Sequence, residues 1–279
     1  MARGSRAAGI AGTLALALIL SACAPRPKEI PVDQLPAEEI FKRAEFSLAN
    51  EKKAEEAARL FGEVERLYPY SELAKRALIM QAYSFHKDRK YDESRAAAQR
   101  YIDTYPAEDD AAYAKFLLAL SYYDQIDAIG RDQGLTFQAL QALRAVIEEY
   151  PDSEYARSAI LKFDLAFDHL ASKEMEIGRY YLRGKHYTAA INRFRVVVEQ
   201  YQTTTQTPEA LYRLIECYLS LGLTDEAQTA GAILGYNFRS TDWYEDGYKL
   251  LTGKGLEPKV RGDGWLAQIY RQVVRGEWL

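Results

Sequence analysis

Apolar residues recur at helical rather than alternating spacing along most of the chain, and the clearest stretch is residues 178–201, GRYYLRGKHYTAAINRFRVVVEQY. Gly178, Tyr181, Tyr187, Ala190, Phe194 and Val197 stand at offsets of 0, 3, 9, 12, 16 and 19. The first two share one face of a helix, and the last three share one face of a second helix. Gly184 and Lys185 mark the turn between them. Such a hairpin buries its apolar faces only against neighbours, so it predicts further copies on either side.

The copies can be read off. Over 37–69, Phe41 and Leu48 belong to a first helix and Ala54, Ala57, Phe61 and Val64 to a second, closing with Tyr68-Pro69. Over 71–106 the matching positions are Ala82, Phe85, Tyr91, Ala98 and Tyr101, with Ser94 as the small residue at the tight crossing and Tyr105-Pro106 at the end. A third copy, about 110–151, carries Ala139, Leu143 and Val146 and ends in Tyr150-Pro151. Proline ends each preceding helix while the aromatic packs into the hinge. The closing tyrosines 68, 105, 150 and 201 are separated by 37, 45 and 51 residues, against about 34 in a uniform array. The first excess falls between helices, at 123–136. The second predicts one long helix from Glu154 to Arg183, without proline and capped by Asp152-Ser153, and marks where the array is expected to change direction. A fifth copy covers 208–235. Ser240 is placed to cap a short helix bearing Trp243, Tyr244 and Tyr248; a loop is expected over 252–264, and helical spacing returns from Trp265. The fold class is all-α, a tetratricopeptide-repeat superhelix of about five helical hairpins. Its expected division is an N-terminal half over 37–151 (repeats 1–3), a C-terminal half over 152–251 (repeats 4–5 and a capping helix), and an extension over 252–279.

The start of the chain has a different pattern. Arg3 and Arg6 precede a short apolar run from Ile10 to Leu20, ending in Leu20-Ser21-Ala22-Cys23. That predicts a signal peptide over 1–22 and resembles a bacterial lipobox, making Cys23 the lipidated first residue of the processed chain. Ala24, in place of aspartate, is compatible with transfer to the outer membrane. Four prolines in APRPKEIPVDQLP predict an extended tether over 23–36.

Composition narrows the function. The 279 residues carry a net charge of -4, and losing residues 1–22 with their two arginines takes the formal balance to -6, 34 basic against 40 acidic side chains. No general nucleic-acid binder is expected from that balance. His86, His169 and His186 fall in different repeats without metal-ligand spacing, and His86 and His186, near turns, are expected to face solvent. Cys217, on an apolar helix, reads as a buried structural thiol. The GRDQG stretch lacks the Lys-Ser/Thr of a phosphate loop. The expectation is therefore no catalytic residue, metal or cofactor. The 21 tyrosines divide between hinge positions and candidate contact residues, since tyrosine buries area at low entropic cost and keeps a polar tip. Arg193, beside Phe194 on an otherwise inward face, reads either as a solvated arginine or as a partner contact.

Several longer segments carry a family resemblance: PAEEIFKRA from Pro36, LYPYSELAKRALIMQAYSFHKDRKYDESRAAAQRYIDTYP from Leu67, DQGLTFQALQALRAVIEEYPDSEYARSA from Asp132, and EIGRYYLRGKHYTAAINRFRVVVEQYQTT from Glu176. With the lipobox they resemble the BamD (ComL/YfiO) family of outer-membrane assembly lipoproteins over about residues 18–235, and WYEDGYKLLTG looks like the alphaproteobacterial form. The resemblance implies a non-enzymatic, lipid-anchored subunit of the β-barrel assembly machinery on the periplasmic face of the outer membrane. Its implied partners are the barrel subunit BamA through its membrane-proximal periplasmic domain, other Bam lipoproteins, unfolded outer membrane proteins and outer membrane lipid. By position, Tyr70, Tyr83, Phe85 and Tyr122 are the client-binding candidates. Arg193, matching the family's functional arginine in the same Asn-Arg context, is the partner-binding candidate together with Asn192 and Arg183. The competing reading is another periplasmic tetratricopeptide lipoprotein, one coordinating cell-wall synthesis or division.

Overall fold

The computed structural model describes residues 30–50 and 53–276, and among them twelve α-helices follow one another with no strand. Ten form five antiparallel hairpins: α1 (Ala37–Ala49) with α2 (Ala54–Leu67), α3 (Glu72–Lys87) with α4 (Tyr91–Thr104), α5 (Ala111–Tyr123) with α6 (Gly134–Glu149), α7 (Glu154–Arg183) with α8 (Tyr187–Gln200), and α9 (Thr207–Ser220) with α10 (Thr224–Asn237). Then come α11 (Asp242–Thr252) and α12 (Trp265–Val274). The signal peptide, Cys23 and Trp278 lie outside the described residues.

Small side chains at the crossings let the paired helices approach. Ser94 is fully buried and its hydroxyl donates to Ala82 O at 2.9 Å, so the one polar residue in the crossing series is satisfied. Gly178 stands under the Phe194 ring, where an added Cβ would lie 2.4 Å from Cε1. At the turn of this hairpin Lys185 takes the left-handed conformation (φ 60°), as Arg89 does in the second hairpin (φ 61°), while Gly184 keeps an ordinary negative φ. The glycine read as part of the turn is therefore not the residue that needs conformational freedom.

One junction recurs between hairpins. Tyr68, Tyr150, Tyr201 and Phe238 each end a helix, and a hydroxyl three residues on (Ser71, Ser153, Thr204, Thr241) donates back to the carbonyl of the aromatic at 2.7–2.9 Å. Ser71, Ser153 and Thr241 then cap the next helix through its third residue's N–H. Thr241, not Ser240, thus caps α11, because the three-residue step from Phe238 sets the position. The end of the tether also departs from expectation. Residues 32–34 form a 3₁₀ turn, Leu35 is buried, and Tyr68 OH donates to Leu35 O at 2.6 Å, so the chain is docked from about Val32 onward.

The core is a row of separate clusters, as a quasi-one-dimensional stack requires. The first unites α1–α3 around Ile40 and Phe61, and the next α3–α5 around Leu78 and Tyr101. Two smaller ones join α5–α7. The largest, around Phe194, Leu211, Leu214 and Ile233, runs from the second half of α7 to α12. First helices of successive hairpins approach one another closely from α1 to α7 and again between α9 and α11; the backbones of α7 and α9 stay further apart, and beside their shared core cluster an Arg179–Glu209 ion pair bridges them.

The loop over 253–264 is pinned rather than free. Gln228 Nε2 donates to Glu257 O at 2.8 Å, the Lys259 N–H to Gln228 O at 3.2 Å, and the Arg261 N–H to Thr229 Oγ1 at 3.0 Å. Gly231 is needed there, since a Cβ would stand 2.6 Å from Leu251 Cδ1. These contacts deliver Trp265, whose Nε1 donates to Tyr218 OH at 3.2 Å while the Arg195 guanidinium lies 4.9 Å over its ring. Trp265→Ala is expected to cost about 2 kcal/mol in denaturant unfolding while leaving amide-exchange protection over 37–104 unchanged.

Candidate functional site

The N-terminal candidates separate. Tyr83 and Phe85 lie on α3 and Tyr122 on α5, all half-buried. Tyr83 packs between the first two core clusters, and the Arg95 guanidinium lies 4.4 Å over the Tyr122 ring. Phe85 lines an open groove of about 690 Å³ with Gln81 and the charged Glu55, Glu56, Arg59 and Glu63. Tyr70 does not join them: it sits in the turn after α2, fully exposed, because the Tyr-Pro closure directs it outward. His86 is not solvent-facing as expected. Its side chain is mostly buried, edge-on to Tyr91, with Nε2 3.1 Å from Asp124 Oδ2. Burial pushes its pKa below the usual value, against the opposing pull of Asp124.

Arg193 links its own helix to the preceding one: Nη1 donates to Glu174 Oε2 at 3.0 Å, and its side chain stays 42% exposed. Asn192 is exposed on the same helix, and Arg183 is exposed at the end of α7, about 13 Å further along from Glu174 at ordinary helical rise. The three share one hairpin without converging on one point.

A second polar constellation has no local sequence signal. Glu209, almost fully buried at the start of α9, accepts Arg179 Nε at 2.9 Å and Nη2 at 2.5 Å, and Arg213 Nε at 3.2 Å. Burial alone would raise its pKa; the two guanidiniums outweigh it and hold the carboxyl below the ordinary range. Arg213 also bonds Glu216 at 2.7 Å and lies over the Tyr212 and Trp243 rings, 5.1 and 5.5 Å from their centroids.

The long helix carries an uncovered apolar face. Leu161 and Leu165 are each 62% exposed, with Ile160 beside them and Phe137 on α6. A cleft of about 400 Å³ opens between α6 and α7, walled by Leu140, Phe163, Phe167 and Tyr201. On its other flank Asp168 holds the 203–206 turn through Thr205 N–H at 2.9 Å and Thr205 Oγ1 at 2.6 Å. Cys217 is buried in the core as expected, its thiol pushed up to about 12 by burial. Among the described residues no group of three or more His, Cys, Asp or Glu side chains could hold a metal ion, and no helix is long and apolar enough to cross a membrane.

Hairpins stacked through small-residue crossings, with recurring aromatic junctions and an uncovered apolar face on one long helix, define a tetratricopeptide-type repeat protein, a class built on extended binding surfaces. The sequence model of the YfiO family, described as outer membrane lipoprotein, matches residues 33–233. Over 260 residues the chain is 44% identical to the outer membrane protein assembly factor BamD of Caulobacter vibrioides, covering 92% of this chain and 85% of that protein. It is also 44% identical over 204 residues to that of Rickettsia prowazekii, covering 73% and 81%. Identity to that of Neisseria meningitidis serogroup A is 28% over 240 residues, covering 81% and 90%. The chain belongs to the YfiO family of outer membrane lipoproteins.

Proposed function

We propose that this chain is an outer membrane protein assembly factor, a lipid-anchored subunit of the β-barrel assembly machinery at the periplasmic face of the outer membrane. The observation that carries the proposal is the 44% identity across 92% of the chain to a protein of that name. Cys23 is the anchor. The half-buried aromatics Tyr83, Phe85 and Tyr122 of the N-terminal hairpins offer an extended, unfolded client apolar contact beside charged groups, which suits a strand of alternating side chains. Tyr70 is available only to a client that reaches the turn after α2. The fourth hairpin, with Arg193, Asn192 and Arg183, faces the barrel subunit BamA, and the uncovered side chains of α7 extend that surface. The mechanism is capture followed by handover, with client folding and insertion as the driving force.

The test is recovery of a large β-barrel subunit with the tagged, lipidated chain from detergent-solubilised outer membranes. Co-purification of peptidoglycan synthases in its place would overturn the reading. Arg193→Ala is expected to cut recovery about tenfold, the loss of one charged contact. Thermal stability should change little, since a half-exposed pair is worth about 0–1 kcal/mol. Arg193→Glu is the less clean variant, because it sets two carboxylates against each other at Glu174. Full recovery by Arg193→Ala, or a large loss of its stability, would remove the partner role of Arg193.

A further inference from the structure

Helix α1 turns its apolar stripe into the first core cluster, yet Phe46 lies on the opposite face, 79% exposed. Ile30 and Phe46 are both exposed, and Val32 lines the same groove of about 570 Å³ as Phe46, together with Lys42, Arg43, Lys53 and Arg59. Its two acidic residues are spoken for: Glu39 pairs with Arg43 at 3.3 Å and Glu56 with Lys53 at 3.4 Å. Lys42 and Arg59 have no ion pair among the described residues. Glu38 and Glu45, the other carboxylates of α1, stand one turn before and one turn after Lys42 at the flank of this face, outside the groove lining. The groove lining itself, four basic side chains against two acidic ones beside Phe46, is thus basic and aromatic in a chain that is acidic as a whole.

Its place in the chain says what covers it. Ile30 follows Cys23 by seven residues, which span about 25 Å at most when fully extended. Arg26, Lys28 and Glu29 lie within that interval and add one net positive charge. We propose that the face of α1 bearing Phe46 and Lys42, with Arg59 of α2, rests on the anionic lipid surface that holds the Cys23 anchor, and so sets the orientation of the hairpin stack to the membrane. This rests on the lipid-anchor reading above. The acyl chains supply attachment. Each basic side chain near an anionic surface shifts the balance about fivefold, too little to anchor the protein and enough to select one face of a tethered body. An exposed aromatic beside basic residues is the composition that interfacial contacts use.

The test uses the full lipidated chain reconstituted in vesicles of phosphatidylethanolamine with a minor share of phosphatidylglycerol, some of it brominated in the acyl chains. A bimane label goes on Ala49→Cys, at the exposed end of α1, or for comparison on Tyr248→Cys of α11. Cys217 is buried with its thiol near 12 and does not compete at neutral pH. Flotation first shows whether the chain is anchored. Expected is quenching at position 49 about twofold stronger than at 248 and weakened by salt, as a screened contact requires. Phe46→Asp, or Lys42→Glu with Arg59→Glu, should abolish the difference while the protein still floats. Equal quenching at 49 and 248 in floating protein overturns the docking face and leaves the anchor standing. Failure to float removes the anchor and the docking face together. A blue shift at 49 that grows with protein concentration without vesicles would assign the patch to a second copy of the chain, overturning the lipid contact.

Discussion

Phe194→Ala is expected to destabilise the protein by about 4 kcal/mol, with the loss confined to the C-terminal hairpins. Phe194 is fully buried in the largest cluster, among Val197, Leu211 and Leu214, and its ring occupies the space that the missing side chain of Gly178 leaves open. Truncation leaves a cavity at the α7–α8 crossing that backbone relaxation closes only in part, because Ala171 and Met175, on the same face of α7 as Gly178, hold that helix in the same cluster. Gly178→Ala attacks the same contact from the other helix. It gains about 1 kcal/mol of helix propensity and loses more to the collision with the Phe194 ring. The double variant should therefore cost clearly less than the sum of the two, since the alanine methyl then enters the vacated space. Urea unfolding followed by tryptophan fluorescence reads the C-terminal half, where Trp243 and Trp265 pack against this cluster. Amide exchange should keep full protection over 37–104, whose clusters share no residue with that of Phe194. Additive costs, or loss of protection in α1–α4, would show that the stack does not divide its core in this way.

The features that could be read from the residues are those set by local rules. The span of α7 follows from a proline-free run opened by a capping serine, and Ser94 at its crossing follows from the size limit where two helices meet. The burial of Cys217 follows from its apolar helical neighbours. What stayed hidden depends on pairs far apart in the chain. Arg179 and Glu209 are separated by 30 residues with no periodic relation, so Glu209 looks like ordinary acidic decoration of a helix start. Ile160, Leu161 and Leu165 look like core, because periodicity shows that a face is apolar and not whether a neighbour covers it. The cap of α11 was within reach: the step from Phe238 to Thr241 repeats that from Tyr68 to Ser71 and from Tyr150 to Ser153. The pinning of 253–264 was not, since it depends on backbone groups of that loop meeting Gln228 and Thr229.

Glu209→Gln should lower stability at neutral pH by about 2–3 kcal/mol, somewhat under the cost of breaking a fully buried pair, because Arg179 and Arg213 keep 34% and 26% of their side-chain exposure. The substitution preserves shape and leaves two guanidiniums facing a neutral amide at the joint where this ion pair bridges α7 and α9 beside their shared core. The pH dependence follows from the direction of the shift. The folded-state pKa of Glu209 lies below the ordinary 4.5, so between the two values the unfolded chain binds more protons and stability rises with pH. The contribution is complete above about 4.5 and is lost as pH falls through the folded value. The gap between the native protein and Glu209→Gln should accordingly be widest at neutral pH and narrow in acid, in parallel denaturant titrations across that range. Trp243 supplies an independent readout: Arg213, which shares Glu209, lies over its ring, so its emission should shift in the variant. A gap that stays constant from pH 7 to pH 3 would mean that the charge of Glu209 contributes nothing to the joint. An unchanged emission would mean that the joint holds its shape without it. If both effects are found, the fourth and fifth hairpins are coupled by a charge cluster at a joint where close backbone packing lapses, and a partner binding the fourth hairpin could bias the position of the fifth through Arg179.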